Sequence, residues 1–226
     1  MKKTCLPALL TCVIAIDGFA QDCKSYYYLQ NNKTIEMSIY NKKGDENGKQ
    51  VYTVSEVKNG GGSVTATLNS EMFDKKGKSI ARGKGVIQCN GGIMMVDMKM
   101  SLPAAQQEQF NAADAKVDNV YIEYPSSMKV GDQLKDANMN MEIDSKGLKQ
   151  SVNMVVSERK VVGEEKISTT AGSWDCFKIT YKSRIAIKTM GIGIPVNIEG
   201  TEWFAPNFGV VKTESKHGGT AITAIK

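Results

Sequence analysis

Apolar and polar residues alternate along most of the chain. The period of two runs through residues 34–40, 51–57, 63–68, 94–100, 139–143, 152–156, 177–181 and 210–213. Successive side chains of a strand point to opposite faces, so alternation marks strands with one face on a core and one on water. Turn signals separate the runs: Lys42-Lys43-Gly44-Asp45, Asn59-Gly60-Gly61-Gly62, Asp74-Lys75-Lys76-Gly77, Asn90-Gly91-Gly92, Asp144-Ser145-Lys146-Gly147 and Pro206-Asn207-Phe208-Gly209. Connections this short join antiparallel neighbours, because a parallel crossover needs a much longer connection. The pattern therefore predicts a mainly β fold. Its antiparallel meanders would form two curved sheets or one open, barrel-like sheet.

One stretch departs from the alternation. Residues 102–113 are rich in helix formers, with Ser101 placed as an N-cap and Pro103 in the first turn. The reading is one short central helix, docked by Leu102 and Phe110, between two related halves. Met37-Ser38-Ile39-Tyr40 parallels Met141-Glu142-Ile143-Asp144. Lys49-Gln50 and the run to Ser55-Glu56 parallel Lys149-Gln150 and the run to Ser157-Glu158. Gly62-Ser63-Val64 parallels Gly172-Ser173-Trp174. The expected organisation is a single β-rich domain over residues 21–226, with halves of about 21–117 and 118–226 that are either an internal duplication or two meanders with similar turn chemistry, and a linker over 121–132.

The first twenty residues read as an export signal. Lys2 and Lys3 precede an apolar stretch too short to anchor in a bilayer, and Gly18-Phe19-Ala20 offers small residues at a cleavage site before Gln21. No later run is long and apolar enough to span a membrane. Neither Cys12, inside the apolar stretch, nor Cys23, after Gln21-Asp22, sits in a lipidation context. Export places the mature chain in the periplasm or outside the cell. Net charge falls from +5 to +4 when Lys2, Lys3 and Asp17 leave with the signal. The remaining charges are interspersed, which gives nucleic-acid binding no support.

Cys23, Cys89 and Cys176 remain in an oxidising compartment. The odd count leaves at least one unpaired or bonded to another chain. If one bridge forms, Cys23–Cys89 is favoured, because it would tie the first strand to a later turn of the same half. Cys176 then reads as a buried thiol.

Catalytic chemistry finds few components. His217 is the only histidine and lies in a turn beside Gly218-Gly219. Triad schemes would rest on it entirely. There is no nucleophile elbow, CxxC, HExxH or P-loop. Glu164 and Glu165 are adjacent on a strand and so face apart, and Trp174 and Trp203 read as core. The expectation is a non-enzyme with no metal and no cofactor. Methionines offer the one unusual composition. Met94, Val96, Met98 and Met100 share a strand face, and Met139 and Met141 alternate with asparagines. They read first as core filler, and next as a flexible lining for an irregular apolar ligand. The candidate ligand-binding set is Met94, Val96, Met98, Met139, Met141 and Phe177.

Three segments resemble the TapB-like family of exported bacterial β-rich domains of unknown function. They are AGSWDCFKI at 171–179, YPSSMKVGDQL at 124–134 and EWFAPNFGVVK at 202–212. Gln21-Asp22-Cys23 and Gln88-Cys89-Asn90 fit the same branch. The resemblance spans nearly the whole mature chain, and its motifs are structural rather than catalytic. It implies a β-rich exported protein with a shape similar to envelope lipid or lipoprotein carriers. The expected function is a non-catalytic envelope protein that binds an apolar or amphipathic ligand such as a lipid or lipoprotein. The alternative is a protein–protein interaction module of the periplasm or cell surface without a small ligand.

Overall fold

The computed structural model describes residues 23–102, 106–107, 120–145 and 148–226. The expected export signal lies outside them, as does most of the expected central helix. Twelve strands are present among the described residues. They are β1 (Thr34–Asn41), β2 (Glu46–Gly60), β3 (Ser63–Asp74), β4 (Ser79–Asn90), β5 (Ile93–Asp97), β6 (Tyr121–Tyr124), β7 (Ala137–Ser145), β8 (Leu148–Thr169), β9 (Gly172–Thr189), β10 (Val196–Ala205), β11 (Gly209–Ser215) and β12 (Gly218–Ile225). The named helical elements among those residues are three short 3-10 turns, Cys23–Ser25, Tyr27–Leu29 and Met98–Ser101.

All twelve strands form one antiparallel sheet, ordered β6-β5-β4-β3-β2-β1-β12-β11-β10-β9-β8-β7. Two six-stranded meanders thus run outward from a central seam where β1 pairs with β12. The first meander continues through Tyr124, because β6 pairs with β5. The sheet curls until its two outer edges nearly meet. The segment after β6 covers the gap: Gly131 N–H donates to the Val161 carbonyl at 2.8 Å, and Leu134 N–H donates to the Arg159 carbonyl at 2.8 Å. Near-closure satisfies edge groups that an open sheet would leave exposed.

The residues inside the barrel follow the alternation. Ile35, Val54, Leu68, Ile87, Met94, Val152, Ile179 and Val211 are buried in one continuous core. The N-terminal 3-10 turns plug the barrel end where β10 turns into β11. Tyr26, Tyr28 and Leu29 are buried there. Phe208 of that turn meets Tyr27 at 5.3 Å, Tyr28 at 5.7 Å and Trp174 at 5.2 Å between ring centroids. A disulfide between Cys23 and Cys89 ties the plug to β4, and Cys176 is a buried free thiol.

The alternation over 94–100 does not hold to its end. β5 stops at Asp97, whose side chain accepts from the Lys99 backbone N–H at 3.0 Å and starts a 3-10 turn. A carboxylate that bonds its own backbone two residues on competes with the strand ladder. Of the expected helix, Leu102 is buried, and the buried Gln107 amide donates to the Leu102 carbonyl at 2.7 Å.

Candidate functional site

The barrel interior is not filled. A cavity of about 350 Å3 lies above Tyr28 of the plug, walled by Met37, Met94, Met100 and Met154 together with aliphatic residues from both meanders. Most strand positions of the wall follow from the period of two, because residues sharing a strand face with the core also face the cavity, whereas Met100 reaches it from the 3-10 turn after β5.

One wall is polar. Arg159 is fully buried, and its guanidinium approaches Glu202 at 3.4 Å. It also donates to the Glu123 carbonyl of β6 at 2.9 Å and the Lys135 carbonyl at 3.2 Å. The Tyr124 hydroxyl donates to the other Glu202 oxygen at 3.0 Å. The Tyr124 ring carries Arg159 at 4.8 Å on one side and stacks on Phe204 at 4.5 Å. Burial raises the Glu202 carboxyl above the usual carboxylate range, against the opposing pull of Arg159 and the Tyr124 hydrogen bond. Burial also pushes the Tyr181 hydroxyl up to about 12, with the Glu202 charge adding to it. Two cavity-wall atoms, Arg159 Nε and Ser183 Oγ, have no hydrogen-bond partner among the described residues. Buried polar atoms are nearly always paired, and each orphan costs roughly 1–3 kcal/mol.

A bulge in β8 puts Arg159 inside. Val152, Met154 and Val156 face the core. Strict alternation would next turn residue 158 inward and 159 outward. Glu158 instead adopts φ +52°, and the ladder with β9 loses step between Ser157 and Lys160. The extra residue reverses the phase, so Arg159 and Val161 point inward.

The structure divides the six predicted ligand residues. Met94 and Val96 line the cavity. Met98 is fully buried in the 3-10 turn, off the strand face expected for it. Met139 and Met141 are buried in the core along β7 without lining the cavity. Phe177 is half-buried and borders a separate shallow depression with Cys176, Glu164 and Pro206. Sequence reasoning missed Arg159, Glu202, Tyr124 and Ser183. Only the Ser55-Glu56 and Ser157-Glu158 parallel hinted at the phase change.

Other candidate chemistry does not assemble. His217 is exposed in the β11–β12 turn. Burial pushes the Cys176 thiol up to about 12. Among the described residues no three histidine, cysteine or carboxylate side chains converge on a metal position, and no helix is long and apolar enough to cross a membrane. Trp203 is buried but faces outward. Lys178 and Lys212 cover it at 5.5 and 4.7 Å, and its indole N–H donates to Glu165 at 2.9 Å. A wider groove of about 690 Å3 crosses the outer surface, but charged and polar side chains such as Lys182, Lys212, Glu158, Glu199 and Glu214 line it.

The fold has solved counterparts. One is a protein inferred to be a lipoprotein, from Parabacteroides distasonis ATCC 8503. It superposes with a TM-score of 0.72 at 20% identity, covering 91% of this chain and 100% of that one. Another is a protein inferred to be exported, of YmcC-like fold, from Bacteroides fragilis NCTC 9343. Its TM-score is 0.66 at 22% identity, covering 87% of this chain and 96% of that one. Likeness at this identity speaks to the fold alone. No functionally curated protein matches the sequence. The DUF3108-like family model matches residues 30–223, nearly all of the described strands, and the chain belongs to the DUF3108-like family.

Proposed function

We propose that the protein is an exported, non-catalytic binder of a small amphipathic molecule, a lipid or lipid-like compound, held inside the barrel. The observation that carries this reading is the methionine-walled cavity with two unpartnered polar atoms, Arg159 Nε and Ser183 Oγ, on one side. About 350 Å3 lies at the small end of ligand cavities. It suits one acyl chain or a compact apolar molecule better than a two-chain phospholipid. Arg159 Nε can only donate, and Ser183 Oγ can donate. The Arg159–Glu202 pair is neutral as a unit. The group best matched to this wall is therefore a hydrogen-bond acceptor, such as a carbonyl or ester oxygen at the head of an apolar tail.

Several features weigh for binding over catalysis. The lone histidine is exposed, the free thiol is buried and neutral, and the buried carboxylate is occupied by arginine and tyrosine. The near-closed sheet also weighs against the alternative of partner recruitment by strand addition, since few free edges remain. Placement in the TapB-like branch rests on Gln21-Asp22-Cys23 and Gln88-Cys89-Asn90 and belongs to the same reading.

Native mass spectrometry with organic extraction, on protein purified gently from a bacterial envelope, tests this. A near-stoichiometric bound lipid is expected. Ser183→Phe fills the cavity and removes the hydroxyl, and should release that lipid while the far-ultraviolet dichroism stays β. A clean apo mass with no lipid in the extract would overturn the reading.

A further inference from the structure

The hairpin joining β9 to β10 carries the most exposed apolar side chains in the described structure. Met190, Ile192 and Ile194 are 76%, 82% and 87% exposed, and Val196 is 51% exposed. Soluble surfaces scatter single apolar residues, but four within seven positions at one tip form a patch that marks an interaction site.

The tip is built rather than loose. Thr189 N–H donates to the Ile192 carbonyl at 2.9 Å, and Ile192 N–H donates back to Thr189 at 3.0 Å. Between them Met190 and Gly191 have φ +51° and +81°, the two-residue geometry that suits tight hairpins. Asparagine or glycine normally fills the first of these positions. Here a methionine bears the left-handed backbone while its side chain gains no burial from folding. Met190 N–H also donates to the Lys149 carbonyl of β8 at 3.0 Å, which braces the turn from one flank. Gly193 lies so close to the Ile187 carbonyl that no side chain fits between them. The ladder between β9 and β10 begins only at Ile185 and Val196, so residues 190–195 run beyond it on the β10 side, while residues 186–189 stay paired with β8.

Position and size indicate the partner. The plug sits at the other end of β10, around Asn207 and Phe208. The cavity wall includes Ile185, the register partner of Val196, so the tip starts where the wall stops. A stable protein interface buries about 800 Å2 on each partner over a broad, complementary face. Four apolar side chains around one turn cannot supply that area. A fluid acyl layer can, because it closes around a point. Lys188 and Lys149 are exposed at the base of the tip, and Lys188 has no ion pair among the described residues. Lysines flanking an inserted apolar segment favour anionic headgroups.

We propose that this hairpin is a membrane-docking tip: Met190, Ile192 and Ile194 insert into the outer layer of a bilayer, and Lys188 and Lys149 meet its anionic headgroups. The proposal stands independently of whether the cavity holds a ligand.

Flotation of the purified protein with vesicles of phosphatidylethanolamine and phosphatidylglycerol at 3:1 tests it. The wild type should float with these vesicles and bind at least 10-fold less to phosphatidylcholine vesicles. Ile192→Asp/Ile194→Asp should lose at least 10-fold in vesicle binding with an unchanged melting temperature, since both side chains are already in water. Wild-type protein that stays in the bottom fraction would overturn the proposal, and so would a double variant that floats equally well. Light scattering on the same samples covers the remaining occupant: a wild-type dimer that the double variant converts to monomer, without vesicle binding, would assign the tip to self-association and overturn membrane docking.

Discussion

Glu56 and Glu158 hold the same backbone conformation at the same point of the two meanders. Each follows a serine, Ser55 or Ser157, and each has φ +52°. Each also sits where its ladder with the next strand slips, between Ser55 and Lys58 in β2 and between Ser157 and Lys160 in β8. In both halves the slip turns the following residue inward. That residue is Val57, packed against the core, in the first half and the buried Arg159 in the second. The shared bulge argues for duplication more strongly than the drifting sequence matches. One device shared by both halves delivers an aliphatic residue in the first and a guanidinium in the second.

The bulge residue should tolerate both substitution and deletion. A left-handed backbone costs a non-glycine residue roughly 1–2 kcal/mol, and glycine escapes it. Glu158→Gly gives up only an exposed ion pair with Lys182 at 2.7 Å, and pairs of that kind contribute at most about 1 kcal/mol. Its urea midpoint should stay level or rise by the equivalent of about 0.5–1 kcal/mol. Deleting Glu158 takes out the extra residue, so strict alternation places Arg159 inward directly after Ser157 and keeps every later side chain of β8 in phase. The deleted protein should therefore still unfold cooperatively with Arg159 buried. A deletion that abolishes the cooperative transition would show that Glu158 is not the extra residue of the bulge.

Much of the architecture is legible in the alternation, because a half-buried strand leaves that signature at every second residue. The antiparallel meander, the turns and the buried methionines Met94, Met139 and Met141 all follow from it. The site is less legible, because it depends on two breaks in the pattern. Asp97 ends β5 early and removes Met98 from the strand face. Glu158 turns Arg159 inward from a stretch, Ser157-Glu158-Arg159-Lys160, whose composition reads as solvent-facing. A period-two reading carries no information about which residue adopts a positive φ. The choice between two sheets and one is also invisible locally, since it depends on β1 pairing with β12 from the far end of the chain.

Arg159 and Glu202 should respond unequally to loss of their partner. Glu202→Gln strands a buried guanidinium that cannot shed its charge, and should cost about 3–5 kcal/mol in urea unfolding. Arg159→Met leaves a carboxyl that burial already holds above its usual range, so it can take up a proton and keep its Tyr124 hydrogen bond. The cost should be smaller at pH 5 than at pH 8. The sign follows from linkage: a carboxyl that binds its proton more tightly when folded loses stability as pH rises from the unfolded value toward the folded one. The pair Arg159→Met/Glu202→Met should recover part of the Glu202→Gln loss. Equal, pH-independent costs for both single variants would contradict this assignment.

The disulfide closes a long loop, with 66 residues of sequence separating Cys23 from Cys89. Loop entropy alone predicts a contribution of about 4 kcal/mol for a ring of that size. Cys23→Ser/Cys89→Ser should lower the unfolding free energy by about 2–4 kcal/mol. It should also expose the plug: Tyr26 and Tyr28 sit beside Cys23, so limited proteolysis should cut before β1 ahead of any other site. A double variant that resists protease as well as the wild type would mean that aromatic packing on Phe208 holds the plug without the bridge.

Cys176 offers a readout of the core that needs no ligand. It is buried on β9, and burial, with the neighbouring Asp175 charge adding, pushes its thiol from 9.0 up to about 12. In the folded protein it should stay protonated and unreactive toward a disulfide reagent at pH 8, and one thiol should appear on denaturation. The same shift predicts a slope in stability at alkaline pH. Between about pH 9 and 12 the unfolded chain releases this proton while the folded chain retains it, so stability falls with rising pH. The loss should approach roughly 1.4 kcal/mol per pH unit. The tyrosines raised by burial, Tyr26, Tyr28, Tyr52, Tyr124 and Tyr181, add their own loss, which starts below 10.0 and grows above it. The part that belongs to the thiol is therefore the difference between wild type and Cys176→Ala. The variant should decline less steeply than wild type from pH 9 to 10. If wild type and variant decline in parallel from pH 9, the thiol is already ionising in the folded state and the β9 face around it is open to water.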